Sequence, residues 1–142
     1  MAEDGRIALV SGANRGIGRE VVRQLAERGM MVILGSRDEE KGRAAAEGID
    51  GEVVVRRLDV TDEKGIRNLA HEVEEEFGRL DVLVNNAGGS MDSGGRGVNA
   101  DLDVVRETLE MNLFGAWQLC EAFVPLMQRN NYGRIFNVSS GM

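Results

Sequence analysis

The stretch that decides the fold is S-G-A-N-R-G-I-G, Ser11 to Gly18, which directly follows the apolar run Ile7 to Val10. The apolar run predicts a buried strand, and residues 16 to 28 place apolar side chains at helical spacing. Glycines at this junction permit a tight turn and the close approach of a pyrophosphate, to which a helix N-terminus offers N–H groups and a favourable dipole. Taken alone the stretch is also compatible with a simple turn. Its place between a first strand and a helix favours a dinucleotide-binding site.

The rest of the chain continues the alternation of strands and helices. Short apolar runs predict four more strands, at Met31 to Leu34, Val53 to Leu58, Leu80 to Val84 and Ile135 to Val138. Helical patterns occupy residues 38 to 47, a segment capped by Thr61 or Asp62 and ending near Phe77, and residues 102 to 128, which Pro125 is expected to bend or end. Gly88 to Asn99 has the composition of an exposed loop. Strands that are apolar on both faces indicate a parallel sheet covered on both sides, so we predict one doubly wound α/β domain over residues 1 to 142.

Composition narrows the class of protein. The 142 residues are 42% hydrophobic and 29% charged, which is typical of a globular domain, and the net charge of −7 disfavours nucleic-acid binding. The single Cys120 excludes an internal disulfide. No apolar run approaches the roughly 20 residues that span a bilayer, and the acidic start MAEDGR lacks a signal-peptide layout. We therefore expect a cytoplasmic protein without a membrane partner.

Five ordered motifs resemble those of the short-chain dehydrogenase/reductase family. Ser11 to Gly18 is similar to the family's T-G-x-x-x-G-x-G, with Ser11 in place of Thr. Further matches are Leu58-Asp59-Val60, the N-N-A-G of residues 85 to 88, Asn112 in a helix, and the strand from Gly133 to Ser140. The resemblance implies a Rossmann-type sheet with strand order 3-2-1-4-5, incomplete at its C-terminal side. It also implies cofactor-binding residues Gly12, Asn14, Arg15, Gly16, Ile17, Gly18, Ser36, Arg37, Asp59, Val60, Asn86, Ala87 and Gly88.

The second strand favours NADP(H) over NAD(H) as the cofactor. Family members that prefer NAD usually place an aspartate after this strand, where Ser36 stands here. Arg37, and Arg15 in the glycine turn, are suited to a 2′-phosphate through charge-assisted hydrogen bonds. Each arginine is alternatively a solvated surface charge.

Several site residues have a second interpretation. Asp59, which the resemblance places at the adenine, is alternatively a capping residue beside Thr61, and Asn86 to Gly88 is alternatively only a turn. Asn112 is alternatively a surface amide, although in the family this position holds a water of the proton relay through its backbone carbonyl. Ser140 is assigned as the catalytic serine that bonds the substrate carbonyl, with Ser139 as the alternative.

The family's reaction is hydride transfer between a nicotinamide and a carbonyl or alcohol substrate, assisted by a Tyr-x-x-x-Lys motif. Tyr132, the chain's one tyrosine, precedes the fifth strand and has Phe136 four residues later, so it is not the catalytic acid. We therefore expect the chain to be the N-terminal part of a longer oxidoreductase, catalytically incomplete alone, with its fifth strand left as an exposed edge.

Two alternatives remain beside the enzyme: a non-catalytic NADP-binding sensor or regulatory module, and a degenerate fragment that keeps only inherited motifs. In the family the helix at residues 102 to 128 commonly joins a dimer interface, so a homo-oligomer is expected of the full-length protein. Other conspicuous side chains are expected to be structural: solvated His71, and Met111, Trp117, Cys120 and Met127 as core or interface packing.

Overall fold

The computed structural model describes residues 5–88 and 101–139, in which five strands alternate with helices. The strands are β1 (Ile7–Val10), β2 (Met31–Ser36), β3 (Val53–Arg57), β4 (Val82–Asn85) and β5 (Arg134–Asn137). The helices are α1 (Gly16–Glu27), α2 (Glu39–Ala46), α3 (Glu63–Phe77), α4 (Leu102–Leu109) and α5 (Ala116–Arg129). A π-helical turn, Glu110–Gly115, joins α4 to α5. Apart from Gly88, the predicted loop of residues 88 to 99 lies outside the described residues.

All five strands are parallel and follow the order β3-β2-β1-β4-β5, which confirms the predicted Rossmann-type sheet. Every residue of β1, β2 and β4 is buried, because helices cover both faces. Val10, Val32 and Val84 belong to one core with side chains of α1 and α2. Leu9, Ile33 and Leu83 belong to a second core with side chains of α3 and α5. The sheet is therefore doubly wound.

Aspartates begin three of the helices. Asp38, Asp62 and Asp101 each accept a hydrogen bond from a backbone N–H in the first turn of the helix that follows. Of the two predicted caps for α3, the structure therefore selects Asp62 rather than Thr61. The helix ends at Gly78, whose φ of 75° is a conformation that favours glycine.

The predicted helix at residues 102 to 128 is interrupted by the π-helical turn, which the sequence pattern did not predict. The π-helical turn divides it after Leu109, and α5 then runs through Pro125 to Arg129, so the proline does not end the helix. Among the described residues, no helix is both long and apolar enough to cross a membrane.

Strand β5 lies at the edge of the sheet, as predicted. All four of its residues are exposed, and Phe136 keeps 55% of its surface accessible.

The amino ends of β1 and β4 are linked by Asp81, a fully buried carboxylate. It accepts hydrogen bonds from the Ile7 amide (2.8 Å) and from Arg79 Nε and Nη2 (2.8 and 2.7 Å). Hydrogen bonds therefore link the strands at this end of the sheet, while the carboxyl end carries the predicted motifs.

Candidate cofactor-binding site

The hydroxyl of Ser11 joins the first two predicted motifs. Its Oγ accepts hydrogen bonds from the amides of Asn86 (3.0 Å) and Ala87 (2.9 Å), and it donates to the Val84 carbonyl at 3.4 Å. Parallel strands place their carboxyl ends at one edge of the sheet, so the ends of β1 and β4 are neighbours although 75 residues separate Ser11 from Asn86. In the motif comparison, Ser11 stood only as a replacement for threonine. Its hydroxyl is the feature that the two residue types share.

The glycine turn packs against the N-N-A-G segment with no space for side chains. A Cβ added at Gly12 would lie 2.8 Å from Ala87 Cα, and one added at Gly18 would lie 2.4 Å from Asn86 Nδ2. The same Nδ2 donates to the Gly12 carbonyl at 3.0 Å. Gly12 has a φ of 59°, a conformation that L side chains rarely adopt. Glycine is therefore required at position 12 both by the backbone and by contact.

The start of α1 is open on its outer side. Nothing described lies within 4 Å of a Cβ added at Gly16, and the N-cap residue Arg15 makes no side-chain capping bond to a described residue. The first turn of α1 also contains no acidic residue, in contrast to the aspartate-capped α2, α3 and α4. Backbone N–H groups and the helix dipole are thus available to an anion. This cradle fits the pyrophosphate of a dinucleotide.

The end of β2 lies beside the glycine turn, because the Ala13 amide donates to the Gly35 carbonyl at 2.9 Å. Ser36 is buried and its Oγ donates to the Asp38 carbonyl at 2.6 Å, which shapes the bend into α2. Arg37 is exposed at this bend. Its guanidinium is therefore accessible from solvent at the edge of the site.

Asp59 follows β3 and lies near Arg37. Burial raises the pKa of Asp59, but hydrogen bonds from the Thr61 amide (2.9 Å) and hydroxyl (2.7 Å), together with the charges of Arg37 and Arg57, outweigh burial and hold the pKa below its ordinary value. Asp59 thus caps a local turn at Thr61, while Asp62 caps the helix itself. The second carboxylate oxygen of Asp59, Oδ2, makes no hydrogen bond to Thr61. Arg57, which the sequence did not single out, adds a further positive charge to this corner.

A cavity of about 900 Å³ opens between α5 and the ends of β4 and β5. Asn86, Ala87 and Gly88 form one part of its wall, and Ile17 of the glycine turn lies at its rim. The opposite walls are formed by Asn112, Leu113, Ala116, Trp117 and Cys120 of the π-helical turn and α5, and by Asn137 to Ser139 at the end of β5. The N-N-A-G motif, Asn112 and the end of β5 therefore share one cavity.

The π-helical turn contacts two of the predicted motifs. Asn112 faces Gly88, where an added Cβ would be 2.3 Å from Asn112 Oδ1. Gly115 lies against Val60, and its own added Cβ would be 2.8 Å from the Val60 carbonyl oxygen. Val60 is 6% exposed and belongs to the core. A π-turn is commonly found at functional sites, and this one is in contact with the segments after both β3 and β4.

Other predicted residues fall at different places. Ser139 is exposed on the cavity wall, and Ser140 lies outside the described residues. Tyr132 lies at the far end of β5, with Arg6 and Arg134 guanidinium carbons 4.3 and 4.8 Å from its ring centroid, so it does not line this cavity. His71 is exposed beside Glu75, as expected. Trp117, expected to pack in the core or in an interface, is 58% exposed at the cavity, so it lies outside the core of the described residues.

Comparison with known proteins agrees with this arrangement. The family model described as short chain dehydrogenase matches residues 6–142. The (+)-neomenthol dehydrogenase of Arabidopsis thaliana is 40% identical, with 100% of this chain and 56% of that protein aligned. Carbonyl reductase (NADPH) 1 of Bos taurus is 38% identical, with 99% of this chain and 50% of that protein aligned.

A solved structure of a metagenomic short-chain oxidoreductase in complex with NADP superimposes with a TM-score of 0.90 at 36% identity. It covers 97% of this chain and 63% of that one. The chain spans 56% and 50% of the length of the two curated relatives named above. The motifs, the strand order and these matches together place the chain in the short-chain dehydrogenase family.

Proposed function

We propose that this chain is the cofactor-binding part of an NADP(H)-dependent oxidoreductase that acts on a small carbonyl or alcohol. The observation that carries the proposal is the open start of α1, joined through Ser11 to the N-N-A-G segment at the cavity. The start of α1 can bind an anion, and the adjoining cavity can hold the nicotinamide and the substrate. The relatives support the proposal, since they include a neomenthol dehydrogenase and an NADPH carbonyl reductase.

NADP(H) is proposed rather than NAD(H) because the end of β2 offers no carboxylate for the ribose hydroxyls. Ser36 is buried and its hydroxyl is bonded to the Asp38 carbonyl, and Arg37 is exposed beside it. A guanidinium suits a phosphate through charge-assisted hydrogen bonds. A neighbour of the same fold was solved in complex with NADP, which supports this choice.

The chain's own residues would act as holders and positioners. When bound, the nicotinamide supplies or accepts the hydride. Backbone N–H groups at the start of α1 would hold the pyrophosphate, and Asp59 with Val60 would border the adenine. Asn86, Ala87 and Gly88 would line the nicotinamide end of the cavity. Ser140, with Ser139 as the alternative, would donate a hydrogen bond to the substrate carbonyl, and Asn112 would hold a water through its backbone carbonyl.

The remaining proton-transfer groups are proposed to belong to a longer protein. The two curated relatives extend well beyond the aligned region, since this chain spans 56% and 50% of their lengths. The encoded sequence that follows Met142 tests this part directly. A Tyr-x-x-x-Lys motif shortly after Ser140 is expected, and its absence would favour the non-catalytic sensor or a degenerate fragment.

Two measurements on the complete protein separate the candidate functions. NADPH fluorescence titration should show saturable binding, with weaker binding of NADH. Oxidation of NADPH should then depend on an added carbonyl compound, and Ser140→Ala should slow it more than Ser139→Ala. Binding without carbonyl-dependent oxidation would indicate the sensor, and no binding would contradict the proposal.

A homo-oligomer through the α4 to α5 region is proposed as well. Exposed apolar side chains occur along this region, at Leu102, Val105, Leu109, Leu113, Phe114 and Trp117. A group of exposed apolar side chains on one segment is typical of an association site. Sedimentation of the complete protein should give a dimer or larger species. Leu109→Glu should dissociate it, whereas Glu72→Gln on the exposed side of α3 should not.

A further inference from the structure

A pair of asparagine side chains joins the carboxyl ends of β4 and β5. Asn85 Nδ2 donates to Asn137 Oδ1 at 2.8 Å, although 52 residues separate them in the chain. The two residues are direct partners in the parallel ladder. Immediately beyond them, the Val138 amide donates to the Asn85 carbonyl at 3.0 Å. The side-chain bond and the backbone bond together fix the point where the chain leaves the sheet toward Ser139.

The buried Asn85 amide group has no other good hydrogen-bond acceptor among the described residues. Asn85 is 6% exposed, and its Nδ2 otherwise approaches only Cys120 Sγ, at 3.8 Å, among the described residues. A thiol sulfur is a weak acceptor, and a buried N–H without a good acceptor is destabilising. Asn85 Oδ1 has no hydrogen-bond partner in the described part of the chain. The bond to Asn137 is therefore the main polar anchor of this buried side chain.

Strand β5 in turn depends on few other contacts. All four of its residues are exposed, and within the described residues it pairs only with β4. Both asparagines line the cavity, between the Asn86 to Gly88 segment and the Val138 to Ser139 segment. A small shift of β5 would change the distance between these two walls of the cavity.

We infer that Asn137 is a positioning residue, whose hydrogen bond with Asn85 holds the strand end leading to Ser139 and Ser140 against the N-N-A-G segment. For its kinetic consequence the inference rests on the proposed function. The structural part, the hydrogen bond and the order it imposes on Val138, stands without that function. A displacement of about 1 Å in a catalytic group lowers turnover by up to about a hundredfold, so a modest shift at this bond has a measurable effect.

Two variants of Asn137 in the complete protein test the inference. Asn137→Leu has a similar volume but no acceptor, whereas Asn137→Asp keeps an oxygen for Asn85 Nδ2. Asn137→Leu should lower kcat for carbonyl reduction by about tenfold or more while the Kd of NADPH changes less than about twofold, and Asn137→Asp should recover most of kcat. Arg134→Gln, at the other end of β5, is the control and should leave kcat unchanged.

Hydrogen exchange at the Val138 amide gives a readout that does not require activity. Exchange should be about tenfold faster in Asn137→Leu, with the central Leu83 amide unaffected, and near the original rate in Asn137→Asp. Unchanged Val138 exchange in Asn137→Leu would overturn the inference, as would an Asn137→Asp variant that loses as much protection. Failure of the unmodified protein to oxidise NADPH would contradict the proposed function only, because the exchange rates would still decide the role of the asparagine pair.

Discussion

Gly115 lies against Val60 so closely that an added Cβ would be 2.8 Å from the Val60 carbonyl oxygen and 2.9 Å from its Cβ. Gly115→Ala should therefore displace either α5 or the segment Asp59 to Val60. We expect a loss of about 1–3 kcal/mol in the free energy of unfolding, measured in urea, and weaker NADPH binding. Glu121→Ala, at an exposed position in α5, is the control. Equal stability of the two variants would show that the contact relaxes without strain.

Gly12 and Gly16 differ in a way that a matched pair of alanine variants can measure. Both have φ near 60°, but an added Cβ at Gly12 meets Ala87 Cα at 2.8 Å, whereas one at Gly16 meets nothing described within 4 Å. Gly16→Ala should cost only the left-handed backbone penalty of about 1–2 kcal/mol. Gly12→Ala should cost clearly more in urea unfolding. Similar losses in the two variants would contradict the close packing of the glycine turn on Ala87.

The ion pair between Arg79 and buried Asp81 should contribute strongly to stability. Arg79→Ala leaves a carboxylate with no exposed surface without its cation, so we expect the free energy of unfolding to fall by about 3 kcal/mol. The exposed pair of Arg43 with Glu39 provides the comparison. Arg43→Ala should change stability by less than about 1 kcal/mol. A loss of similar size in both variants would be inconsistent with the burial of Asp81.

Much of this fold follows from the sequence, because the buried strands are apolar runs and the pair of Thr61 and Asp62 signals the start of α3. The glycine turn and N-N-A-G could also be predicted, since their chemistry is local. The π-helical turn could not, because a shift of hydrogen bonds from i−4 to i−5 has no residue signature comparable to a cap. Nor could the bond between Asn85 and Asn137, since it depends on a pairing of strands 52 residues apart.

Arg37 is predicted to determine the choice between the two nicotinamide nucleotides. Arg37→Asp should lower the ratio of NADP to NAD affinity by at least about tenfold, because a charge-assisted contact with phosphate is replaced by repulsion. Parallel fluorescence titrations with NADPH and NADH measure this ratio. Arg28→Asp, at the exposed end of α1, is the control for a general change of charge. A ratio that stays constant in Arg37→Asp would remove Arg37 from the cofactor site.

Asp59 should make stability depend on pH. Its folded pKa lies below the ordinary value, so its stabilising contribution is present above a pH of about 4 and is lost as pH falls through the folded pKa. Asp59→Asn should therefore have a lower free energy of unfolding than the unmodified protein at pH 7, measured in urea. The difference should be less than about 1 kcal/mol, because the carboxylate is partly solvated. The difference should shrink in acid. A constant difference from pH 7 to pH 3 would contradict the depressed pKa, and Asp50→Asn serves as the exposed control.

The central position of β1 in the sheet has a consequence for folding during synthesis of the chain. Strand β1 is synthesised before its partner β4, and the Asn86 and Ala87 amides that bond to Ser11 Oγ follow 75 and 76 residues after Ser11. Closing so long a loop is entropically costly, and contacts of this range slow folding. The glycine turn therefore acquires its final shape only after Ala87 has been synthesised. A nascent chain should gain affinity for the nucleotide late and abruptly rather than in proportion to its length.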